Sequence, residues 1–598
     1  MCRQSRGIPS IQAQRLPRSS PASRRPLLRS TNLVLPSYLL AAVLFTWPVA
    51  GTFANAIPSS RVAFDPTMQA FLLGWDWHAL LTGPLQVFHA PMFYPEPNTL
   101  TYMDHLLGET LLAAPILAAW HSTAAAYNFL VLFSFAVSGW AVYRLARLCG
   151  ASRAGSYLAG FLYAFGPYRF ANLDLLNQLQ TEFMPLGILF GLKFLRRRRV
   201  RDFAGLMGTL VAQVYFGWYY AYFLGIALGL MLLYAFGRRS VAVEPMFRWR
   251  WAAIAAVALL LVLPVALPYF QEHRLLPEFR RTLGESALYS ADVVDYLKVN
   301  PSSVLATALA LPTGGQSYWP GLATVLLGLV ALRGRGARER SWIPGFFLVL
   351  TGAAFVLSLG PILHVAGARI WIPLPYAALY YLVPGSAALR APARFASLVL
   401  LGLTVLSAFG FDRLGERMRG RTAWPALVTG LFTVSIAFAW PHPLSVVELP
   451  TRETIPAVNA WLAERRGSEP ILEIPTPRGD AETETHALRQ FLLLEDGHPR
   501  LDGTSGFVSR RYRAFRATME GFPGREALQA AARMGAKLIV VHFGDYPDAE
   551  RALLRARIRG ERRLAPLAEF GTDAVFALTP PAARPSPRRS SARSPVTR

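Results

Sequence analysis

Cysteine is almost missing: Cys2 and Cys149 are the only two in 598 residues. Both are expected on the reducing side of a membrane, which excludes a disulfide framework and a Cys-based metal site. Lysine is nearly as scarce, with only Lys193, Lys298 and Lys537. The formal charge of +25 is therefore carried by arginine, a bias that fits a GC-rich bacterial genome. Charged residues make up 16% of the chain, against roughly a quarter in soluble proteins. With 53% hydrophobic residues, that shortage excludes an ordinary soluble protein. No P-loop, no Rossmann glycine fingerprint after a strand, no HExxH and no GxSxG occurs, which argues against a nucleotide-sugar enzyme.

What the chain has in quantity is apolar runs near the ~20 residues that cross ~30 Å of hydrocarbon. Eleven are laid out at 33–54, 124–143, 155–170, 180–195, 203–217, 219–236, 251–270, 319–333, 342–360, 393–411 and 423–440. Between them lie "RLARLCGASRAG", "RRRRVR", "GRRS", "RGRGARER" and "DRLGERMRGR". With the N-terminal arm inside, all five clusters face the cytoplasm, as positive loops do. Membrane topology thus accounts for the basic charge, and nucleic acid is not an expected partner. The run "LLGETLLAAPILAAW" (106–120) holds Glu109 and Pro115. At ~15 residues it is short of a crossing, and counting it would turn the arginines outward. It is expected to lie on or dip into the outer face, as is "LPYAALYYLVPG" (374–385). The expected fold class is mainly α: a polytopic membrane helix bundle with about eleven transmembrane helices and a small C-terminal extracytoplasmic α/β domain.

The arm 1–32 and the tail 581–598 are Ser/Pro/Arg-rich and expected to be disordered. The membrane domain covers 33–440, with outer loops at 55–122 and 271–317. Ala54-Asn55-Ala56 resembles a signal-peptidase site, but the long run and the spans that follow favour an uncleaved first span. In the domain 441–580, "PILEIPTP" and "AKLIVVHFG" read as strands and "GREALQAAARMG" as an amphipathic helix closed by glycine. "RLAPLAEFGTDAVFALTP" reads as a hairpin.

The first outer loop is the anomaly. After Arg61, "VAFDPTMQAFLLGWDWHALLTGPLQVFHAPMFYPEPNTLTYMDHL" carries four carboxylates and three histidines without one Lys or Arg. Asp65-Pro66-Thr67 is a strong helix start, and capping is one full explanation of Asp65. The other uses the same geometry: a carboxylate held on a helix at the membrane–water boundary is partly desolvated and suited to act as a general base. Asp104 and His105 close the loop, either as a solvated turn or as groups that position an acceptor or a metal.

This arrangement resembles the GT-C glycosyltransferases, membrane enzymes that take a sugar from a polyprenyl phosphate or diphosphate. The resemblance rests on "FDPTMQAFLLGWDWHALLTGP", "MFYPEPNTL", "GETLLAAPI", "YLAGFLYAFGPYRFANLDLLNQLQTEFMPLGIL", "YSADVVDYL" and "LRAPARF" in that order. It covers most of 33–440 and, more loosely, the tail. The Asp-Glu pair that opens this loop in protein mannosyltransferases is absent, since Pro66 follows Asp65. The resemblance implies that Asp65 is the catalytic base.

A lipid phosphate needs cations at the same depth, and the arginine fork suits its oxygens. Arg390 and Arg394 stand at the outer mouth of the span 393–411, against the positive-inside tendency; snorkelling to headgroups is the plainer account of both. The loop 271–317 adds Arg280, Arg281 and Lys298 as phosphate ligands, with Tyr289 and Asp292 as sugar contacts. Gln180 and Glu182 are further candidates for sugar hydroxyls. No cofactor and no metal ligand set is expected. The reading is a transferase of the bacterial inner membrane that moves sugar from a polyprenyl-phosphate-linked donor to a cell-envelope glycan or lipid, among membrane lipids. The alternatives are a transporter or flippase for a lipid-linked glycan and a non-catalytic assembly factor of the same fold.

Overall fold

The computed structural model describes residues 32–59, 63–238, 249–300, 303–313, 317–333, 342–418, 420–439, 444–451, 453–465, 468–477 and 484–579. Almost all of the arm and the whole tail read as disordered lie outside these. Each of the eleven apolar runs contains a helix, from Val34–Phe45 to Ala423–Ala439. Among the described residues, four helices are long and apolar enough to cross a membrane by themselves: Thr123–Cys149, Trp218–Gly237, Trp249–Leu275 and Pro392–Met418. Others are shorter than expected for local reasons. The first ends at Phe45 instead of continuing to 54, because Pro48 removes an amide donor and clashes with the preceding turn. The third stops at Ala164 before Gly166-Pro167.

The helix ends gather at two poles. At one, the arginine-rich connections meet: Asp412 accepts from the Ser152 amide at 2.6 Å, and Arg196 donates to the Leu148 carbonyl at 3.0 Å. At the other, β1 (Ala56–Pro58) closes the first run, and Ser122 Oγ donates to the Ala54 carbonyl at 2.7 Å. The hairpin of β2 (Ile362–Val365) and β3 (Ala368–Pro373) lies at this pole too, where Asp292 accepts the Ala366 and Gly367 amides of its turn. Helix Pro375–Leu382, the second short run, leaves Tyr381 and Leu382 exposed, as the hairpin leaves Trp371. Between the poles, helix Trp249–Leu275 buries only Val265 and Glu272, and an apolar surface of that size needs lipid.

After the last membrane helix, β4 (Val446–Glu448) pairs antiparallel with β1. There follows a four-stranded sheet in the order β5-β6-β8-β7, made of β5 (Ile471–Ile474), β6 (Leu538–His542), β7 (Leu564–Phe570) and β8 (Asp573–Leu578). β5 and β6 are parallel, and β7–β8 is the hairpin read from the sequence. Helix Arg525–Met534 ends at Gly535, whose φ of 96° is the left-handed cap that glycine tolerates best. This layer is the small C-terminal α/β unit expected from the sequence, and it packs on the first loop. Tyr94 N–H donates to the Arg500 carbonyl, the Arg500 amide to Pro91, and Gly503 lies against the Phe93 ring. One apolar cluster runs from Tyr38 through the first loop to Phe576. The loop's Met92, Phe93 and Tyr102 can leave water only beneath the sheet layer, so loop and layer share a core.

Within the bundle, helices Leu322–Leu332 and Ala396–Met418 meet backbone to backbone. A Cβ on Gly410 would sit 1.8 Å from the Leu327 carbonyl oxygen, the close approach that small residues allow membrane helices. Gly410→Leu should destabilise the protein by about 1–3 kcal/mol or more. A lower thermal unfolding midpoint in detergent checks this; an unchanged midpoint would contradict the packing.

Candidate active site

Helix Phe64–Thr82 begins one residue earlier than Asp65, with Ala63 as its cap residue and no side-chain cap. The Ala63 amide is met from across the chain by Glu484 Oε1 at 3.0 Å. The expected Asp65 cap is therefore corrected: with the helix end already served, the Asp65 carboxylate is left uncommitted. It carries no hydrogen bond or ion pair among the described residues and stays accessible to solvent. Even so, the surrounding protein desolvates it enough to raise its pKa, and the like charge of Asp174 raises it further; Arg394 and Arg390 pull the other way.

Those two arginines come from about 330 residues further along the chain and face the same recess. The Arg394 guanidinium lies over the Tyr219 ring, 4.3 Å from its centroid, and 3.9 Å from Asp104 Oδ2. Arg390 lies over the Tyr289 ring at 4.2 Å, while its backbone amide donates to the Tyr219 hydroxyl at 2.7 Å. Arg390 has no carboxylate partner among the described residues. Two stacked guanidiniums, one half-paired and one uncommitted, thus flank a pair of acids.

Asp104 is fixed from the other side. Its Oδ2 accepts from Asn177 Nδ2 at 2.7 Å, and Asn177 Oδ1 receives Gln69 Nε2 at 3.5 Å. Burial lifts the Asp104 carboxyl, against the pull of Arg394, Asn177 and Arg390. The segment that presents Asp174 and Asn177 is tied down at both ends: Tyr127 donates to the Leu173 carbonyl at 3.0 Å and Tyr220 to the Gln178 carbonyl at 2.7 Å. Arg281 borders this group, bound to Glu285 at 3.0 Å and to the Gly506 carbonyl.

The structure therefore gathers Asp65, Asp104, Arg390, Arg394 and Tyr289, with Arg281 at the margin. It does not gather the rest. His105 is fully buried between Phe88 and Tyr269, a core histidine where a substrate contact was expected. Gln180 is fully buried and donates to the Leu130 carbonyl. Glu182 is fully buried and accepts from Ser134 and Ser138, beside the enclosed Arg169. Asp292 caps a short 3-10 turn and holds the β2–β3 turn. Lys298 is paired with Asp295 at 2.7 Å, and Arg280 is exposed with no bond to the group. Burial or prior bonding removes all of these but Arg280 from substrate contact. The sequence reading passed over Gln69, Asp174, Asn177 and Tyr219. Gln69, Asp174 and Asn177 lie in stretches that carry the resemblance, and Tyr219 opens the run 219–236; polar groups at a helix mouth were the available signal. Among the described residues no group of three or more His, Cys, Asp and Glu is arranged to hold a metal ion.

Burial pushes the His105 pKa down to about 3. The unfolded chain takes up its proton near pH 6.5, so this histidine contributes stability above that value and loses it as pH falls towards 3. Thermal unfolding should therefore drop between pH 7.5 and 5, and His105→Phe should drop less. An equal drop in both would contradict a buried neutral imidazole.

No family model matches this chain, and no curated protein does. Among solved structures, the arabinofuranosyltransferase AftD from Mycobacteria matches 92% of this chain at 14% identity with a TM-score of 0.54. This chain spans 40% of AftD's length. The oligosaccharyltransferase AglB of Archaeoglobus fulgidus, with an inhibitory peptide and a dolichol-phosphate, matches 92% of the chain and 74% of its own at 13% identity and TM-score 0.49. ArnT of Cupriavidus metallidurans bound to undecaprenyl phosphate matches 92% and 98% at 12% identity and TM-score 0.48. The last two fall below 0.5 and add nothing to the fold assignment. The AftD likeness shows the fold alone: this chain is folded as that part of the arabinofuranosyltransferase is.

Proposed function

We propose that the protein is a glycosyltransferase of the bacterial inner membrane, with eleven crossings and the acidic recess on the periplasmic face. It moves a sugar from a polyprenyl-phosphate-linked donor to a cell-envelope glycan or lipid. The single observation that carries this is the recess itself: an uncommitted, partly desolvated Asp65 facing two stacked arginines, one without a carboxylate partner. The fold shared with the arabinofuranosyltransferase AftD supports a sugar transferase.

The chemistry follows from placement. Asp65 takes the proton of an acceptor hydroxyl as its oxygen bonds to the sugar's anomeric carbon. The bond from that carbon to the phosphate oxygen breaks, and polyprenyl phosphate leaves with the electron pair. Arg390 is the better phosphate ligand, because Tyr289 holds it in place while leaving its five donors free. Arg394 is already drawn to Asp104, so its charge is shared and its main work is to hold the two sides of the recess at a fixed distance. The raised pKa of Asp65 suits a base, and Asp174 contributes to that rise.

Asp65→Asn should lower transfer from a radiolabelled lipid-linked sugar by about 10²–10⁴-fold while membrane insertion and unfolding temperature stay unchanged. Full activity in that variant would remove the base. Arg390→Ala should raise the KM for the lipid donor, with partial recovery in Arg390→Lys. The rate should fall as pH drops through the raised Asp65 pKa. Asp174→Asn removes one cause of that rise, so it should move the acid limb to lower pH; a limb that stays put would separate Asp65 from the titration.

A further inference from the structure

A second polar cavity, of about 200 Å³, lies in the C-terminal layer and takes no part in the reaction above. It opens at the carboxyl ends of the parallel strands β5 and β6, where open sheets carry their ligand crevices. One wall is aliphatic, formed by Val458, Leu488 and Leu492. The other carries His542, whose Nδ1 is 3.0 Å from Asp573 Oδ1. The His542 Nε2 is buried without a hydrogen-bond partner, and the nearest carboxylate oxygen, Glu473 Oε2, is 3.7 Å away. Arg489 completes this wall, bridging Glu473 and Asp545. Burial alone would lower the His542 pKa, but Asp573 and Glu473 raise it and favour the imidazolium. The His542 ring thus lines the cavity with its two nitrogens beside Asp573 and Glu473.

The charges decide what fits. Glu473 is held ionised by Arg500 at 2.7 Å from behind, so each cation here already faces an anion. An anionic ligand would meet the carboxylates of Glu473, Asp545 and Asp573 with no cation to spare. A neutral polyhydroxylated ring meets alternating donors and acceptors on one side and aliphatic carbon on the other. The volume lies below the ~300–1,000 Å³ of drug-sized and cofactor pockets, which limits the guest to about one ring.

The cavity also backs onto the recess. Thr485, Leu488, Arg489 and Leu492, at i, i+3, i+4 and i+7 of helix Glu484–Asp496, face it. The opposite side of the same helix packs on Phe64–Thr82, with Leu494 against Gly74 and Glu484 on the Ala63 amide, two residues before Asp65. We propose that this cavity binds one neutral sugar residue of the acceptor glycan, holding the chain one helix-width from the transfer site. The word "acceptor" rests on the transferase reading; the sugar site does not.

The test uses the full chain in detergent, titrated with methyl glycosides of glucose, galactose, mannose and arabinose and, separately, with inorganic phosphate, read by saturation-transfer NMR and calorimetry. At least one glycoside should bind saturably, and phosphate should not compete. Asp573→Asn should weaken that glycoside about tenfold or more, and Leu488→Trp, which fills the cavity, should abolish binding; unchanged unfolding temperatures identify variants that fold. Asp65→Asn should bind as wild type does. No saturable glycoside, competition by phosphate, or unchanged affinity in both cavity variants would overturn the proposal. A wild-type protein that transfers no sugar yet binds glycosides here refutes the transferase reading alone. One that transfers sugar with an unchanged acceptor KM in both cavity variants, and binds no glycoside, refutes this proposal alone.

Discussion

A guanidinium drawn partly out of water needs an anion or a π face beside it, and Arg394 has both. Tyr219 lies under it, Asp104 stands 3.9 Å away, and Asn177 steadies Asp104 from the far side. That contact joins the first loop, the segment after the third run, the first turn of helix Trp218–Gly237 and the mouth of Pro392–Met418. Each arrives at the same pole from a different membrane helix. Without a cation between them, Asp65, Asp104 and Asp174 would repel one another in a poorly solvated recess. With it, the recess can hold acids whose pKa values are raised but not lost to their partners.

The missing cations of the first loop follow from this arrangement. A lysine or arginine within the loop itself would sit beside Asp65 at all times and pair with it. Cations supplied from Arg390 and Arg394 are instead fixed by aromatic stacking at a distance, close enough to influence the carboxylate and too far to bond it. The same logic explains why the helix cap is provided by Glu484 from elsewhere. Two jobs that one aspartate would otherwise divide are given to different residues, and Asp65 keeps its charge for the recess.

The C-terminal layer serves the recess by weight rather than by contact with it. It covers Met92, Phe93 and Tyr102, and so stiffens the loop that ends in Asp104. Helix Glu484–Asp496 is the shared wall, with one face on the first-loop helix and the other on the polar cavity. That helix links the layer to the Asp65 helix through packed side chains.

The apolar runs and the arginine clusters were legible in the sequence, because lipid imposes length and polarity on every crossing and charge marks the side. Asp65, Arg390 and Arg394 were legible for the same reason: each breaks the pattern of its surroundings. His105, Gln180 and Glu182 break it equally, yet the structure buries them, since polarity in a sequence says nothing of which way a loop residue turns. Composition and periodicity alone determined a many-helix membrane chain with an acidic first loop. Tertiary structure alone decided that Tyr219 and Tyr289 hold the arginines, that Asn177 holds Asp104, and that the tail folds onto the first loop. Those pairings span up to about 400 residues of chain, and local pattern carries no record of contacts that only a closed fold creates.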